Sequence, residues 1–547
     1  MKAARKIMKE FPVKLTTLNT FGRNEYWKRA GVLLALFLGI LSLANCGGGG
    51  NGGGDAPAQS STADSFTRMF PELPSFAPAT DEVRMQLKAL GQSGGVLDAQ
   101  DLLVDPLQSI INPAVHSPNN HDNPNMTAGT TFLGQFLDHD ITLDLRSPLA
   151  GTADPGATKN SRTPAFDLDS VYGGGPDQSP ELYDLSSGDI KMRVEAIPGS
   201  AAVSRNGVVR FDVPRDTDNK AIISEARNDE HLILSQFHLA MLRFHNAVVD
   251  RLRADASHAD DSAAEIFSQA QRLVRWHYQW IIVHEFLPLI IGQGRVTDIL
   301  VNGQKFYKPV GRPKLPVEFT VAAYRFGHSQ VRPSYRANFG PNAGPQLFMF
   351  VFDDNQDPTT ADPNDLRGGK RAPRRFIDWQ TFFNFQDGTV RPSKIIDTKL
   401  STILFALPGT KASAPGLPSD GVQSLASRNL MRHLTFGLPS GQAVAQAIGV
   451  PVLTPEQLSD LAPYGLETST PLWFYILKEA EIEQNGLRLG SVGGRIVGEV
   501  FVGLLKNDPS SYLAAQPNWT PTLPAAVPSD FRVTDLLRFA GVVVDAL

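Results

Sequence analysis

The heptapeptide Gly134-Gln135-Phe136-Leu137-Asp138-His139-Asp140 sets the problem that the rest of the chain has to solve. It places an imidazole between two carboxylates, beside an amide and two large apolar side chains. Phe136 and Leu137 favour a buried helical segment, whereas an unpaired buried carboxylate is costly. Each carboxylate therefore needs a cation, a set of hydrogen-bond donors or a covalent bond, unless the segment is an exposed turn.

The composition is that of an ordinary globular protein. The chain has 547 residues, of which 42% are hydrophobic and 20% charged, and its formal net charge is −5. Residues 1–45 carry eight Lys/Arg against two Glu, a surplus of six positive charges, so the remainder has a net charge of −11. An acidic remainder argues against nucleic-acid binding, which depends on neutralising phosphates.

The N-terminal residues have the pattern of an export signal. Basic residues precede an apolar run from Ala30 to Ala44, which is short for a membrane span and typical of a signal peptide. Cys46, the only cysteine in the chain, follows at once and resembles the lipidation site of a bacterial lipoprotein, although Asn45 departs from the small residue usual there. We therefore expect residues 1–46 to be an export signal of lipoprotein type.

Plain secretion and a retained anchor are the alternatives to lipidation. The expected location is the outer membrane or cell surface for a lipoprotein, or the exterior for a secreted protein, with membrane contact only through a lipid on Cys46. Residues 47–63 are rich in Gly, Ser and Ala and predict a flexible tether. With a single cysteine, the folded part has no disulfide.

Residues 64–547 show no internal repeat and no second linker, which predicts one large domain. Apolar residues recur at helical spacing in three stretches, namely Leu232 to Leu252, Ala263 to Ile291 with an interruption at Pro288, and Glu318 to Gln330. Strand-like alternation is rare. The sequence therefore predicts a mainly α-helical fold with little β-structure.

The eleven histidines do not predict a zinc site, because none forms the His-x-x-x-His pair of a helical metal site. Two pairs lie seven residues apart, about 10 Å of helix rise and too far for one ion to bridge. His139 and His328 differ, since each has an apolar helical context with charged neighbours. Spacing alone still favours satisfied core histidines at both positions over ligands.

Five motifs, taken together, resemble the animal-type haem peroxidase superfamily, which includes bacterial members. They are a distal-histidine motif (Gly134 to Asp140), a calcium loop (Thr163 to Gly173), a distal-arginine helix (Arg227 to Asn246), a proximal-histidine motif (Tyr324 to His328), and Asn429 to Arg432 ahead of Gly437-Leu438-Pro439. One motif would be weak, but five in order over about 300 residues are specific. The resemblance covers residues 91–449 and implies a single helical domain that holds haem between a distal and a proximal helix.

The resemblance implies a haem b-derived cofactor whose iron is bound by His328. Asn429 would hydrogen-bond the other ring nitrogen of this histidine and fix its orientation. Arg325 and Arg432 would face the haem propionates, because a planar guanidinium suits a carboxylate.

Two acids match positions that form ester bonds to haem in mammalian relatives, Asp138 and Glu230. An ester removes the charge of a buried carboxylate, so a covalently attached haem is expected, with hydrogen-bonded acids beside a non-covalent haem as the alternative. A third mammalian link uses Met where this chain has His231, so that bond is not expected. Its absence puts chloride oxidation in doubt and favours bromide, iodide or thiocyanate.

On the distal side, the resemblance implies that His139 is the general acid and base for hydrogen peroxide. Arg227 would stabilise charge that develops on the departing oxygen, and Gln135 would hold water or a small anion. The implied activity is that of a donor:hydrogen-peroxide oxidoreductase, with a halide, thiocyanate or an organic aromatic compound as the donor.

A calcium site is also implied. Asp140 would point away from the haem towards a loop that supplies Thr163, Asp167 and Asp169, with a main-chain carbonyl at Ala165. Hard oxygen ligands of this kind suit calcium. Asp169 replaces the Ser usual in the family and adds negative charge to the site.

Two other functions stay open. Fatty-acid dioxygenases of the same superfamily carry a radical-forming Tyr three residues before the proximal histidine, where this chain has Arg325; Tyr324 lies one position further and faces a different direction. A haem-binding surface protein without catalysis is the third possibility, disfavoured because all the catalytic residues are present.

Overall fold

The computed structural model describes residues 64–111, 117–145, 147–184, 190–342, 344–353, 360–408 and 422–545. The described residues belong to one compact unit. The predicted export signal and tether lie outside the described residues.

Helices dominate the described part of the chain, as predicted. The α-helices are α1 (Asp81–Leu90), α2 (Gln108–Ile111), α3 (Ala128–Ile141), α4 (Asp169–Tyr172), α5 (Ser200–Val203), α6 (Leu232–Ala254), α7 (Ala263–Ile281), α8 (Leu287–Ile291), α9 (Gln293–Asn302), α10 (Leu425–Thr435), α11 (Gly441–Ile448), α12 (Leu472–Gln484), α13 (Ser491–Asn507), α14 (Tyr512–Ala515) and α15 (Val533–Phe539). The described helices include none that is long and apolar enough to cross a bilayer.

The β-structure of the described residues is confined to antiparallel pairs of short strands. The strands are β1 (Asp64–Ser65), β2 (Asp122–Thr127), β3 (Lys159–Asn160), β4 (Tyr183–Asp184), β5 (Lys191–Met192), β6 (Glu195–Ala196), β7 (Phe211–Asp212), β8 (Ser334–Asn338), β9 (Leu347–Phe350) and β10 (Pro392–Lys394). They pair as β1 with β3, β2 with β10, β4 with β5, β6 with β7, and β8 with β9. The longest strand, β2, leads directly into α3 and thereby fixes where α3 begins.

The core forms around α3, α6, α7 and α13, whose apolar residues are almost all buried. The 23-residue helix α6 follows the predicted apolar run and begins at His231, whose ring caps it. Helix α7 begins with a capping box in which Ser262 and Glu265 satisfy each other's backbone N–H groups. Helix α3 packs on α6 and on the segment that carries His328.

The stretch from Glu318 to Gln330 is helical but not α-helical. A π-helical turn at Glu318–Ala322 is followed by a 3-10 segment, Ala323–Gln330. The backbone leaves helical geometry at Ala322 (φ −122°, ψ −73°), and the Glu318 carboxylate accepts backbone N–H bonds from Met69 and Phe70. Such departures often occur at functional sites, and this one carries His328.

The interruption predicted at Pro288 does not end the helical path, which continues through α8 to Ile291. A π-helical turn at Ile282–Phe286 precedes the proline. Because the wider turn shifts the hydrogen-bond register, the missing N–H and the ring of Pro288 are accommodated.

Candidate active site

Helix α3 presents three of the candidate residues on one face, since Gln135, Asp138 and His139 are spaced i, i+3 and i+4. His139 is buried, and Gln135 and Asp138 are half-buried. Asp140 is fully buried and is bonded elsewhere, by the hydroxyls of Ser170 (2.7 Å) and Tyr278 (3.2 Å). The heptapeptide from Gly134 to Asp140 is therefore part of a buried helix, and its polar side chains contact different partners.

His139 is held from behind by a buried amide. Its Nδ1 lies 2.9 Å from Asn228 Oδ1, and the Nδ2 of the same amide lies 3.0 Å from His238 Nδ1. Burial, together with the charge of Arg227, lowers the pKa of His139 to about 3. The imidazole is therefore neutral at physiological pH, with Nδ1 donating to Asn228 and Nε2 free to accept a proton.

Arg227 lies in a 3-10 turn, Ala226–Asp229, directly before α6. Its guanidinium reaches the end of α3, where Nη2 donates to the main-chain carbonyls of His139 (3.2 Å) and Thr142 (2.7 Å). It also forms an ion pair with the buried carboxylate of Glu225 (2.9 Å). Although burial opposes it, bonding to Arg227 lowers the pKa of Glu225 to about 2. The distal arginine is thus fixed beside His139 by a permanent anion.

On the opposite side, His328 Nδ1 lies 2.8 Å from Asn429 Nδ2 on α10. Arg325 Nη1 donates to the Oδ1 of the same amide at 3.0 Å. Because a guanidinium only donates, this contact turns the Asn429 carbonyl away from His328, so that Nδ1 accepts and Nε2 carries the proton.

A second arrangement of these side chains is needed for metal binding through Nε2, because the proton must then be on Nδ1. Asn429 can provide it by turning its carbonyl to His328, once Arg325 bonds another acceptor. A haem propionate is such an acceptor. The donor set therefore fits a haem, and among the described residues none bonds to His328 Nε2.

Two arginine side chains lie beside the segment that carries His328. Burial and the nearby Arg432 lower the pKa of Arg325 to about 10, which signals an excess of cations. Arg432 itself forms an ion pair with Asp144 (3.0 Å), a partner that the sequence did not suggest. A cluster of guanidiniums fits the two carboxylates of haem.

The distal and proximal segments lie close together around Asp138. Burial raises the pKa of Asp138, and the charges of both Arg227 and Arg325 oppose that shift, so both cations lie near this carboxyl. Burial also raises the pKa of Glu230 to about 7, and the charge of Asp138 contributes to that shift, so the two acids lie near each other. A Cβ added at Gly327 would meet no atom within 4 Å, so open space adjoins His328.

Three carboxylates form the only His/Cys/Asp/Glu cluster among the described residues that could hold a metal ion. Carboxylate oxygens of Asp140, Asp167 and Asp169 all lie within 4.8 Å of one another. Burial raises the pKa of each, and neighbouring carboxylates raise those of Asp140, to about 7, and Asp167. Leu168 adopts a positive φ of 59°, unusual for leucine, and this conformation turns its N–H to Asp140 at 3.3 Å.

The other predicted members of the loop lie beside this cluster. Thr163 donates its N–H to Asp169 (3.1 Å), and the Ala165 N–H bonds to the Thr163 carbonyl (2.8 Å). Arg162 bridges from Asp169 (3.5 Å) to Glu225 (2.7 Å). Because Glu225 also holds Arg227, a chain of ion pairs connects the carboxylate cluster with the distal arginine.

Sequence reasoning missed several of these partners, above all Asn228, Glu225, Arg162, Asp144 and His238 in its present role. Asn228 and His238 lie within the motif from Arg227 to Asn246, and Glu225 lies just before it. Nothing in their spacing indicates that a 3-10 turn aims Asn228 across at α3, so no sequence signal identified it.

Comparison with known proteins gives consistent matches. Residues 145–349 match the family model for animal haem peroxidase, a range that includes Arg227 and His328 but neither the α3 heptapeptide nor Asn429. Thyroid peroxidase of Homo sapiens is 26% identical over 330 residues (56% of this chain, 32% of the relative), and peroxinectin A of Dictyostelium discoideum is 25% identical over 308 residues (54% and 50%). Chorion peroxidase of Aedes aegypti is 29% identical over 209 residues (36% and 25%). The chain thus spans between a quarter and a half of these relatives' lengths.

Solved structures share the fold. Peroxidase A from Dictyostelium discoideum superposes with a TM-score of 0.56 at 18% identity, over 82% of this chain and 88% of that one. A fatty acid alpha-dioxygenase from Oryza sativa gives a TM-score of 0.54 at 12% identity, over 88% and 80%. At these identities the likeness establishes the helical fold alone.

Proposed function

We propose that the chain is a member of the animal haem peroxidase family and that it is a peroxidase, which reduces hydrogen peroxide and oxidises a small anionic or aromatic donor. The observation that carries this proposal is that Asp138 lies near both Arg227 and Arg325, which brings the segments that carry His139 and His328 together. His139 lies beside Arg227 on one side, and His328 lies beside Asn429 on the other.

Members of this family bind haem, and the residues of this chain fit that cofactor. His328 would bind the iron through Nε2, and Asn429 would hold its other ring nitrogen. Arg325 and Arg432 would bind the propionates. Bound in this way, haem supplies the redox chemistry that splits peroxide and accepts electrons from the donor.

The residues on the distal side manage the protons. Neutral His139 accepts a proton from hydrogen peroxide at Nε2 and then returns it to the departing oxygen. Arg227, held by Glu225 and two carbonyls, stabilises negative charge on that oxygen. Gln135 binds water or the anionic donor in the same pocket.

We further propose that Asp138 and Glu230 form ester bonds with the haem. Both lie where burial raises the pKa of the carboxyl, so a neutral ester is easier to hold there than a carboxylate. Two hydrogen-bonded acids beside a non-covalent haem would leave the same residues in place.

Calcium is the proposed occupant of the carboxylate cluster. Asp140, Asp167 and Asp169 offer hard oxygen ligands at close range, and the Thr163 hydroxyl and the Ala165 carbonyl complete the set. Three carboxylates this close repel one another, and a divalent cation removes that repulsion. Calcium would then join the end of α3 to the start of α4.

A fatty-acid dioxygenase is the weaker candidate. Tyr324, the tyrosine closest in sequence to His328, donates its hydroxyl to the Gly134 carbonyl (3.0 Å) and stacks on Phe319. Arg325 occupies the position three residues before His328. Neither arrangement supplies a tyrosyl hydroxyl poised to oxidise a fatty acid, and a non-catalytic haem-binding protein would not need Arg227 beside His139.

A visible spectrum with a peroxide titration tests the proposed function. The purified protein should show a Soret band that changes on addition of peroxide, and it should oxidise guaiacol or thiocyanate only when peroxide is present. Oxygen uptake with linoleate in place of this activity would support the dioxygenase. Bound haem without either reaction would support the non-catalytic protein.

We also propose that the protein is exported, with Cys46 as a lipidation site. Labelling with a fatty-acid analogue should mark the wild-type protein and fail to mark Cys46→Ser. Unlabelled wild-type protein in the medium would instead indicate plain secretion.

A further inference from the structure

His231 precedes α6 and has a defined tautomer. Its Nδ1 lies 3.3 Å from the backbone nitrogen of Leu234, as the cap of the helix. A backbone N–H can only donate, so Nδ1 carries no proton and the neutral ring must carry its proton on Nε2. Burial lowers the pKa of His231 to about 4, so this neutral form persists at physiological pH.

The protonated Nε2 of His231 lies 2.9 Å from Gln135 Oε1. The ring therefore donates to the amide carbonyl, and turning the amide over would place two donors against each other. The Gln135 amide nitrogen is left without a partner among the described residues. Gln135 shares a face of α3 with Asp138 and His139, so its two N–H groups lie on the side of the helix that carries these residues.

We propose that His231 is a positioning residue that fixes the Gln135 amide with its N–H donors towards the pocket, so that the pocket selects a small anion as the electron donor. This inference rests on the proposed peroxidase function and narrows its substrate class. N–H donors stabilise an anion, whereas an amide that turned its carbonyl oxygen inwards would repel it. At the position where mammalian relatives carry a linking Met, this chain thus carries a residue with a different task.

The variant His231→Asn separates the two roles of the ring, which are capping α6 at Leu234 and bonding to Gln135. Asparagine is among the best helix-capping residues, so the bond to Leu234 is retained, but its shorter side chain cannot reach Gln135. In the holoenzyme, thiocyanate binding followed by the Soret shift should weaken roughly three- to tenfold, the worth of one hydrogen bond. The ratio of the KM for thiocyanate to that for the neutral donor guaiacol should rise by a similar factor, while Tm stays near the wild-type value.

Gln135→Leu tests whether His231 acts through the amide. In that background, adding His231→Asn should change the thiocyanate Kd less than twofold, because the amide is already gone. Independent effects of the two substitutions would overturn the proposal, as would an unchanged thiocyanate Kd in His231→Asn alone.

Two further outcomes are distinguishable. If the wild type binds haem but oxidises no donor with peroxide, the proposed function fails, whereas the thiocyanate titration still tests the amide. If His231→Asn does not load haem, nitrogen NMR of ¹⁵N-histidine-labelled wild type decides the matter. A proton on Nε2 of His231 supports the proposal, and a proton on Nδ1 overturns it.

Discussion

At the scale of single residues, the distal site depends on amides that hold histidine rings. Asn228 is fully buried and contacts His139 with one amide atom and His238 with the other. Gln135 and His231 form the equivalent pair one turn away. Asn228 fixes which ring nitrogen of His139 carries the proton, and that choice decides whether the histidine can act as a base. The His231 ring instead fixes the orientation of the Gln135 amide.

Replacing His139 should remove the proton acceptor without removing the haem site. We expect His139→Ala to lower kcat/KM for peroxide by about 10²- to 10⁴-fold, the usual contribution of a general base. Haem content, measured from the Soret band, should be retained because His328 lies on the other side. The exposed His121→Ala is the matched control, and wild-type turnover in His139→Ala would exclude the proposed mechanism.

The ester bonds give a prediction about extraction. Acid–acetone should leave the haem on the wild-type protein, and the double variant Asp138→Asn/Glu230→Gln should release it. Each single variant should keep the haem through its remaining bond, which mass spectrometry of haem-bearing peptides would locate. Ready extraction from the wild type would show that both acids stay free.

How far the sequence predicts this site differs from residue to residue. His139, Arg227 and His328 lie in contiguous motifs and were identified directly. Glu225 and Asn228 were not, because each acts through a tertiary contact made by a non-α turn. The family resemblance placed Arg432 at the haem propionates. Its ion pair with Asp144 joins residues 288 positions apart, so no local pattern predicts it.

At the scale of elements, the carboxylate cluster joins α3 to α4 and, through Arg162 and Glu225, to the turn that carries Arg227. A cation bound there should therefore stabilise the native state and the distal arginine together. Without it, three carboxylates would repel one another at the end of α3.

Calcium should raise the unfolding free energy of the wild type by about 2.7 kcal/mol at a hundred times its Kd, and Asp167→Asn should lose most of that gain. Thermal melting with and without a chelator measures the effect. Asp81→Asn, on the exposed first turn of α1, is the matched control. An equal calcium response in wild type and Asp167→Asn would place the cation elsewhere.

At the same scale, the periodicity of apolar residues predicted the positions of helices well, but it did not predict whether a helix is α, π or 3-10. The apolar run from Leu232 to Leu252 predicted almost the whole length of α6. The run from Glu318 was equally helical in pattern, yet it forms π and 3-10 turns because Glu318 is tied to the backbone of Met69 and Phe70. The tie joins residues about 250 positions apart, so local sequence does not predict it.

At the scale of the whole molecule, buried acids make stability depend on pH. Glu479 is fully buried, accepts N–H bonds from Val492 and Gly493 at the start of α13, and has a pKa that burial raises to about 8. The folded state therefore keeps a proton that the unfolded chain releases near pH 4.5. Stability from this group is lost as pH rises through the folded-state pKa.

We expect the wild type to lose about 2 kcal/mol more unfolding free energy than Glu479→Gln between pH 6.5 and 8. The histidines titrate equally in the two proteins, so their contribution cancels from this difference. Denaturant titrations at the two pH values measure it, with Asp81→Asn as a control that should follow the wild type. Parallel losses in wild type and Glu479→Gln would show that Glu479 is already ionised.

The contact of Arg325 with Asn429 would couple the binding of a haem propionate to the binding of the haem iron by His328. While Arg325 holds the Asn429 carbonyl, His328 keeps its proton on Nε2 and is a poor ligand. A propionate that drew Arg325 away would free the Asn429 carbonyl to accept a hydrogen bond from Nδ1–H, and His328 could then bind iron through Nε2. Haem dimethyl ester lacks the propionate charges, so it should bind more weakly than haem, because both its contact with Arg325 and its bond to His328 are weakened. In Arg325→Leu, the difference in affinity between haem and its dimethyl ester should be smaller.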